Sequence, residues 1–135
     1  MKILVTPRSF GKTNPELFDR LAQAGLEVIR NDTGGILSAE QMKEKLTSCA
    51  GVILGVDPMD ADVLAAASNL KAIAKYGVGL DNIDLEACKQ RGIAVSRTVG
   101  ANSNAVADYA LTLMLMVARK AGLIDRRCRQ KDWGK

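Results

Sequence analysis

The apolar positions of this chain fall into five short strand-like runs, and segments with helical spacing of apolar residues separate them. Short apolar runs that alternate with helices predict a parallel sheet covered by helices, which is an α/β fold. Right-handed crossovers then favour a flavodoxin-like, doubly wound, five-stranded sheet with strand order 2-1-3-4-5. The five predicted strands lie at Ile3–Val5, Leu26–Ile29, Gly51–Gly55, Lys71–Tyr76 and Ile93–Val95.

Two of the predicted helices begin with recognisable capping signals. Asn14 followed by Pro15 predicts an N-cap and a first helical residue, because proline has no N–H to leave unpaired there. Ser38, with Gln41 three residues later, predicts a capping box.

The segment from Ala105 to Ala118 reads AVADYALTLMLMVA and is apolar on nearly every side. Such a helix has to be covered on more than one side, so it is either a central core helix or an interface helix, and the pattern does not choose between them. Asn102 or Ser103 is placed to cap it. The segment is too short to cross a bilayer.

Composition narrows the classes of function. The chain has 135 residues, enough for one hydrophobic core, with 47% hydrophobic and 25% charged residues, as in soluble globular domains. It has no histidine, so the commonest acid/base group near neutral pH is absent, and its three cysteines lack zinc-site spacing. We therefore expect free thiols, no metal site, no membrane segment and a cytoplasmic location.

The positive charge is concentrated at one end of the chain. Residues 119–135 contain seven basic and two acidic side chains, for a net charge of +5, whereas the whole chain carries only +4. A basic segment with a single aromatic residue, Trp133, is more typical of a solvated helix end than of a nucleic-acid site. No nucleic-acid partner is expected.

The loop after the fourth predicted strand reads KYGVGLDNID, from Lys75 to Asp84. Its two glycines allow a tight turn with exposed backbone N–H groups that could hold a carboxylate or phosphate, and Lys75 adds a positive charge. A plain turn, with Asp81 or Asp84 capping the next helix, fits the same residues. The spacing is not G-x-G-x-x-G, so this is no dinucleotide-binding fingerprint.

KYGVGLDNID, GIAVSRT and GANSNAVADYAL together resemble the substrate-domain signature of the D-2-hydroxyacid dehydrogenases. The resemblance implies that the backbone of Val78 and Gly79 binds the substrate carboxylate, that Lys75 is an anion contact, that Asn102 orients the substrate and that Thr98 lies against NAD. The full set of implied substrate-binding residues is Lys75, Tyr76, Gly77, Val78, Gly79 and Asn102.

Three residues depart from the family pattern. Val99 replaces the usual proline, Asp108 replaces the usual glutamate, and Arg97 lies where asparagine is common. The loop from Thr6 to Phe10 has two possible interpretations, since Arg8 and Ser9 could face the cleft or lie on the surface.

The resemblance implies residues 1–98 as a substrate-binding domain, and residues 99–135 as a linker and helices leading into a nucleotide-binding domain. The family's Arg, Glu and His catalytic residues and the main NAD site belong to that second domain, so we expect no catalytic residue here and no activity from this chain alone. The implied reaction is hydride transfer between NAD(H) and a 2-hydroxy or 2-oxo acid.

Lys75 and the overall likeness favour 3-phosphoglycerate over glyoxylate, hydroxypyruvate or lactate as the anionic substrate. A homodimer through the 105–118 helix is also expected. The alternative is a stand-alone, non-catalytic binding or dimerisation module. A flavodoxin-like FMN or response-regulator domain shares the sheet but finds little support in the loop after the first strand.

Overall fold

The computed structural model describes residues 1–132; the end of the basic segment, with Trp133, lies outside the described residues. The chain divides into two compact units, Met1–Val99 and the residues from Gly100 onward. The first unit contains β1 (Lys2–Val5), α1 (Glu16–Gln23), β2 (Glu27–Arg30), α2 (Ala39–Leu46), β3 (Gly51–Leu54), α3 (Ala61–Ala66), β4 (Ala72–Lys75), α4 (Leu85–Gln90) and β5 (Ala94–Arg97).

The five strands form one parallel sheet in the order β2-β1-β3-β4-β5, so the predicted α/β class and strand order are confirmed. The step from β1 to β2 runs across the sheet in the opposite direction to the other three. Right-handed crossovers therefore put α1 on one face and α2, α3 and α4 on the other.

The core lies between the sheet and the α2–α4 layer. Strand residues of one face are buried there together with apolar side chains of the three helices: Leu4, Val52, Leu54, Ile73, Met42, Leu46, Val63, Leu64 and Cys88. Burying side chains of this size contributes roughly 1.5–3 kcal/mol each, which holds the strands in register. The thiols of Cys49 and Cys88 are free, and burial raises the pKa of each above the ordinary cysteine value.

The structure confirms one of the two helix caps predicted for α1 and α2 and contradicts the other. The capping box at Ser38 is confirmed, because Gln41 N donates to Ser38 Oγ at 3.3 Å and Ser38 N donates to Gln41 Oε1 at 2.9 Å. The prediction for Asn14 was wrong: Pro15 is the N-cap of α1, and no side chain caps that helix. Asn14 takes part only through its carbonyl oxygen, which accepts from Leu17 N at 3.3 Å.

The second unit contains α5 (Ser103–Ala118) and α6 (Ala121–Arg129). Lys120 joins them in the left-handed region, with φ +53°. Asn102 is the N-cap of α5, but its side chain makes no capping hydrogen bond, so the predicted side-chain cap is absent. Within residues 1–132, no helix is long and apolar enough to cross a membrane.

Candidate functional site

The carboxyl ends of all five strands lie at one edge of the sheet, because the parallel register aligns them. Leu54 is paired with Lys75, and Lys75 with Arg97, so the residues that follow these strands are neighbours. Ligands of doubly wound sheets bind at this edge. A cleft of about 750 Å³ opens there, lined by Thr6, Pro7, Arg8, Ser9, Lys12, Asn31, Asp32, Gly34, Gly35, Ile36, Gly55, Val56, Asp57 and Tyr76.

The Gly77–Gly79 loop leaves β4 at this edge. Gly77 adopts φ +150°, which side-chain-bearing residues rarely adopt, and this explains the glycine at that position. Gly77 O accepts from Thr98 N at 2.9 Å, and Val78 O accepts from Arg97 Nη1 at 3.3 Å. The loop is thus held by its carbonyl oxygens from the end of β5.

The backbone N–H groups of Val78 and Gly79, unlike the carbonyl oxygens of the loop, make no hydrogen bond to the described residues. Within residues 1–132, neither has a hydrogen-bond acceptor, and Val78 is 42% exposed. Asp84 Oδ1, by contrast, accepts from Ala87 N at 2.9 Å and caps α4. Asp84 therefore caps the next helix, and the N–H groups of Val78 and Gly79 are left without a partner among the described residues. Adjacent backbone donors of this kind are chemically suited to an anion.

Lys75 is only 7% exposed. Its Nζ donates to Gly55 O at 2.5 Å and to Asn82 Oδ1 at 2.6 Å, so two of its three donors point at the protein. Burial lowers the pKa of the Lys75 ammonium from its ordinary value, while the nearby carboxylates of Asp81 and Asp57 act in the opposite direction. The positive charge of Lys75 is consequently buried and fixed in place by these two hydrogen bonds.

A network of buried polar groups, which the sequence interpretation missed, ties the loops after β1, β3 and β4 together. Asn82 Nδ2 donates to Asp57 O at 2.6 Å and to Gly55 O at 3.2 Å. Asp57 Oδ2 accepts from the Thr6 hydroxyl, and Asp57 Oδ1 accepts from Leu37 N at 2.8 Å. The available signals were Thr6-Pro7 directly after β1, Asp57-Pro58 shortly after β3, and Asn82 three residues after the GxG motif.

The other predicted residues occupy different surroundings. Tyr76 lines the cleft, is 47% exposed and makes an edge contact with Phe10 at 5.9 Å between ring centroids. The Thr98 hydroxyl donates to Lys75 O at 3.1 Å. Asn102 belongs to the second unit, at the start of α5. Arg8 and Ser9, for which the sequence allows either the cleft or the surface, both line the cleft.

No cluster of three or more His, Cys, Asp or Glu side chains that could hold a metal ion exists among the described residues. The site therefore offers backbone donors, a fixed lysine charge and a cleft with an aromatic wall. This arrangement can bind and orient a small anion.

Comparison with known proteins identifies the family. Residues 4–124 match the model of the catalytic domain of the D-isomer specific 2-hydroxyacid dehydrogenase family. D-3-phosphoglycerate dehydrogenase of Archaeoglobus fulgidus is 38% identical over 133 residues, which are 98% of this chain and 24% of that protein.

Two solved structures agree with this match. The TT0316 protein of Thermus thermophilus is 36% identical, with a TM-score of 0.84 over 100% of this chain and 42% of that chain. The NAD⁺-bound 3-phosphoglycerate dehydrogenase of Entamoeba histolytica is 33% identical, with a TM-score of 0.74 over 86% of this chain and 38% of that chain. The chain thus spans about a quarter of the curated relative and about two fifths of the solved structures. It belongs to the family of D-isomer specific 2-hydroxyacid dehydrogenases.

Proposed function

We propose that this chain is the substrate-binding part of an NAD-dependent oxidoreductase that transfers a hydride between NAD(H) and a 2-hydroxy or 2-oxo acid. In this proposal residues 1–98 form the substrate-binding domain, and residues 99–135 lead toward a nucleotide-binding domain. The observation that carries the proposal is the pair of N–H groups at Val78 and Gly79, which have no acceptor within the described chain.

The loop suits a carboxylate for a physical reason. Two adjacent backbone donors can hold both oxygens of a carboxylate without a dedicated side chain, and they need no reorganisation because Arg97 and Thr98 already hold the loop. Lys75 adds a buried, fixed positive charge, so its role in the proposal is mainly electrostatic. Tyr76 forms the cleft wall beside the bound acid, and Gly77 gives the turn its shape.

The family resemblance gives two further residues a role in this proposal. Asn102 orients the substrate through its side-chain amide, which is not used for capping α5. Thr98 lies against the cofactor. Because the Thr98 hydroxyl proton is directed at Lys75 O, this side chain can offer the cofactor only an acceptor and its methyl group.

NAD as the cofactor is supported by the NAD⁺-bound relative from Entamoeba histolytica. Bound NADH would supply the hydride to a 2-oxo acid, and bound NAD⁺ would accept it from a 2-hydroxy acid. A dinucleotide site typically has the motif G-x-G-x-x-G or G-x-G-x-x-A directly after a strand. Neither motif follows a strand within residues 1–132, so Thr98 is the one cofactor contact proposed in this part of the chain. In this proposal the main NAD site belongs to the nucleotide-binding domain, and the contribution of this chain is to bind and orient the acid.

The identity of the acid is proposed on two grounds. Phosphoglycerate dehydrogenases are among the relatives, and two cations, Arg8 and Lys12, line the cleft. Both observations favour 3-phosphoglycerate, which carries a charged phosphate besides its carboxylate, over lactate, which has an uncharged methyl group there.

The exposed side chains of α5 support a homodimer. Val106, Tyr109, Met114 and Val117 are each more than half exposed, at 56%, 66%, 67% and 78%. An apolar surface of this kind on a helix typically marks a protein–protein interface. The same surface favours the second candidate function, a non-catalytic dimerisation module.

Titration of the ¹⁵N-labelled chain with glycolate, followed by amide chemical shifts, tests the carboxylate site. We expect the largest shifts at Val78 and Gly79. Ethylene glycol, which has a hydroxyl in place of the carboxylate, is the matched control and should leave both amides unchanged. Equal responses to the two compounds, or no shift with glycolate, would contradict the proposal.

A further inference from the structure

A second, smaller pocket of about 290 Å³ lies next to the cleft, between the loops that follow β1 and β2. Pro7, Arg8, Lys12 and Asn31 line both cavities, so the two are adjacent. Arg30 also lines the small pocket. The rest of its wall is apolar or aromatic and consists of Val5, Phe10, Gly11 and Phe18.

Three cations line this pocket without a carboxylate partner. None of the ion pairs among residues 1–132 involves Arg8, Lys12 or Arg30. Arg8 is held in place by a hydrogen bond from Nη1 to Gly34 O at 2.9 Å, and the Arg30 guanidinium lies 3.6 Å from the centroid of the Phe18 ring. Two of the three positive charges are thus positioned by contacts that leave their charge uncompensated.

The acidic groups nearby are already satisfied. Asp32 forms an ion pair with Lys45 at 3.0 Å, and this hydrogen bond is the main reason that the pKa of Asp32 is lowered. Both carboxylate oxygens of Asp57 accept hydrogen bonds from the protein, from Thr6 and from Leu37 N. The side-chain amide of Asn31 donates to Thr6 O and Gly35 O. The pocket is therefore left with a local excess of positive charge.

We propose that this pocket, defined by Arg8, Lys12, Arg30 and Phe18, binds a tetrahedral dianion of the phosphate or sulfonate class. Three cations exceed what a single carboxylate would balance, and a guanidinium can form paired hydrogen bonds to two oxygens of one phosphate. The apolar walls strengthen the attraction, because they keep the local dielectric low.

The dianion can come from two sources that share this chemistry. It is either the far end of a 2-hydroxy acid whose carboxylate lies on the Val78–Gly79 loop, or a separate small anion. The first source rests on the proposed function, whereas the second does not.

Inorganic phosphate is the first probe, titrated into the ¹⁵N-labelled full chain at constant ionic strength. We expect amide shifts at Gly11, Lys12 and Asn31. Arg8→Gln and Lys12→Gln should each weaken phosphate binding about tenfold, the equivalent of about 1.4 kcal/mol. Arg20→Gln removes an exposed cation that does not line the pocket, and it should bind phosphate as the unaltered chain does.

Comparison of 3-phosphoglycerate with phosphate identifies the source. If 3-phosphoglycerate binds more tightly and shifts Gly79 as well as Lys12, the dianion is the far end of the substrate. If the two bind equally and only the pocket responds, it is a separate anion. Absence of pocket shifts with phosphate, or equal binding by the Arg8, Lys12 and Arg20 variants, overturns the proposal. Glycolate reports on the loop independently, so either site can fail without the other.

Discussion

Asn82 lies seven residues after Lys75 in the chain, and its Oδ1 accepts a hydrogen bond from Lys75 Nζ at 2.6 Å. The amide of the same asparagine donates to two carbonyl oxygens, at Gly55 and Asp57. One side chain therefore positions the lysine and joins the loop after β3 to the loop after β4. Lys75 and Asn82 flank the Gly77–Gly79 loop, so their hydrogen bond joins its two ends.

Asn82→Ala should lower the free energy of unfolding by about 2–3 kcal/mol, because it removes three hydrogen bonds in a half-buried site. These are the bonds of Asn82 with the Lys75 ammonium, Gly55 O and Asp57 O, and among the described residues Asp57 O is left without a partner. Urea denaturation followed by circular dichroism measures the change. Asn69→Ala is the matched control, since Asn69 Nδ2 makes a single exposed hydrogen bond to Thr47 O at 3.1 Å. It should cost less than about 1 kcal/mol. Equal losses in the two variants would remove Asn82 from this role.

The stability contribution of Lys75 should depend on pH. Burial holds the pKa of Lys75 in the folded chain below its ordinary value of 10.5. Between the two values the unfolded chain binds more protons than the folded chain, so the unaltered protein should gain stability relative to Lys75→Met as pH rises toward 10.5. The advantage is lost as pH falls through the folded pKa.

Denaturation of both proteins at several alkaline pH values measures this difference. Lys71→Met, which removes an exposed lysine just before the same strand, controls for the loss of a lysine side chain. A stability difference between the unaltered chain and Lys75→Met that stays constant or falls with rising pH would contradict the prediction.

The sequence predicted the sheet but not the buried polar network, and the reason is physical. Strand order follows from local apolar runs and from the handedness of crossovers, which are short-range properties. The contact between Thr6 and Asp57 joins residues that lie 51 positions apart, and neither residue type signals its partner. Asn14 illustrates the same limit at short range, because several residues before a helix can serve as its cap and tertiary packing decides among them.

Gly79→Ala should weaken glycolate binding about tenfold, or about 1.4 kcal/mol. A Cβ at Gly79 would lie 2.7 Å from Asp81 Oδ1, so the carboxylate of Asp81 would have to move and the methyl group would crowd the N–H that binds the acid. Amide shifts during glycolate titration measure the affinity. Gly122→Ala is the control, because no atom lies within 4 Å of its Cβ position. Unchanged affinity in Gly79→Ala would argue against this loop.

The 135-residue chain alone should not transfer hydride. It contains no histidine and no dinucleotide fingerprint, so the acid/base group and the main cofactor site proposed for the reaction are not in this sequence. Oxidation of NADH at 340 nm, with glyoxylate, hydroxypyruvate or pyruvate as acceptor, measures the activity. A commercial D-2-hydroxyacid dehydrogenase serves as the positive control. A rate above that of the blank, retained after repurification, would overturn the prediction.

Homodimer formation should depend on the apolar surface of α5. Tyr109 and Leu113 lie one helical turn apart and are 66% and 43% exposed, so the double variant Tyr109→Glu/Leu113→Glu places two charges on one face of the helix. If that face forms the dimer interface, burying the two charges would cost several kcal/mol and the chain should sediment as a monomer. Leu85→Glu introduces a charge at another exposed leucine, at the start of α4, and should leave the dimer intact. Sedimentation velocity at matched concentrations distinguishes these outcomes, and an unaltered chain that is monomeric at high concentration would refute the dimer itself.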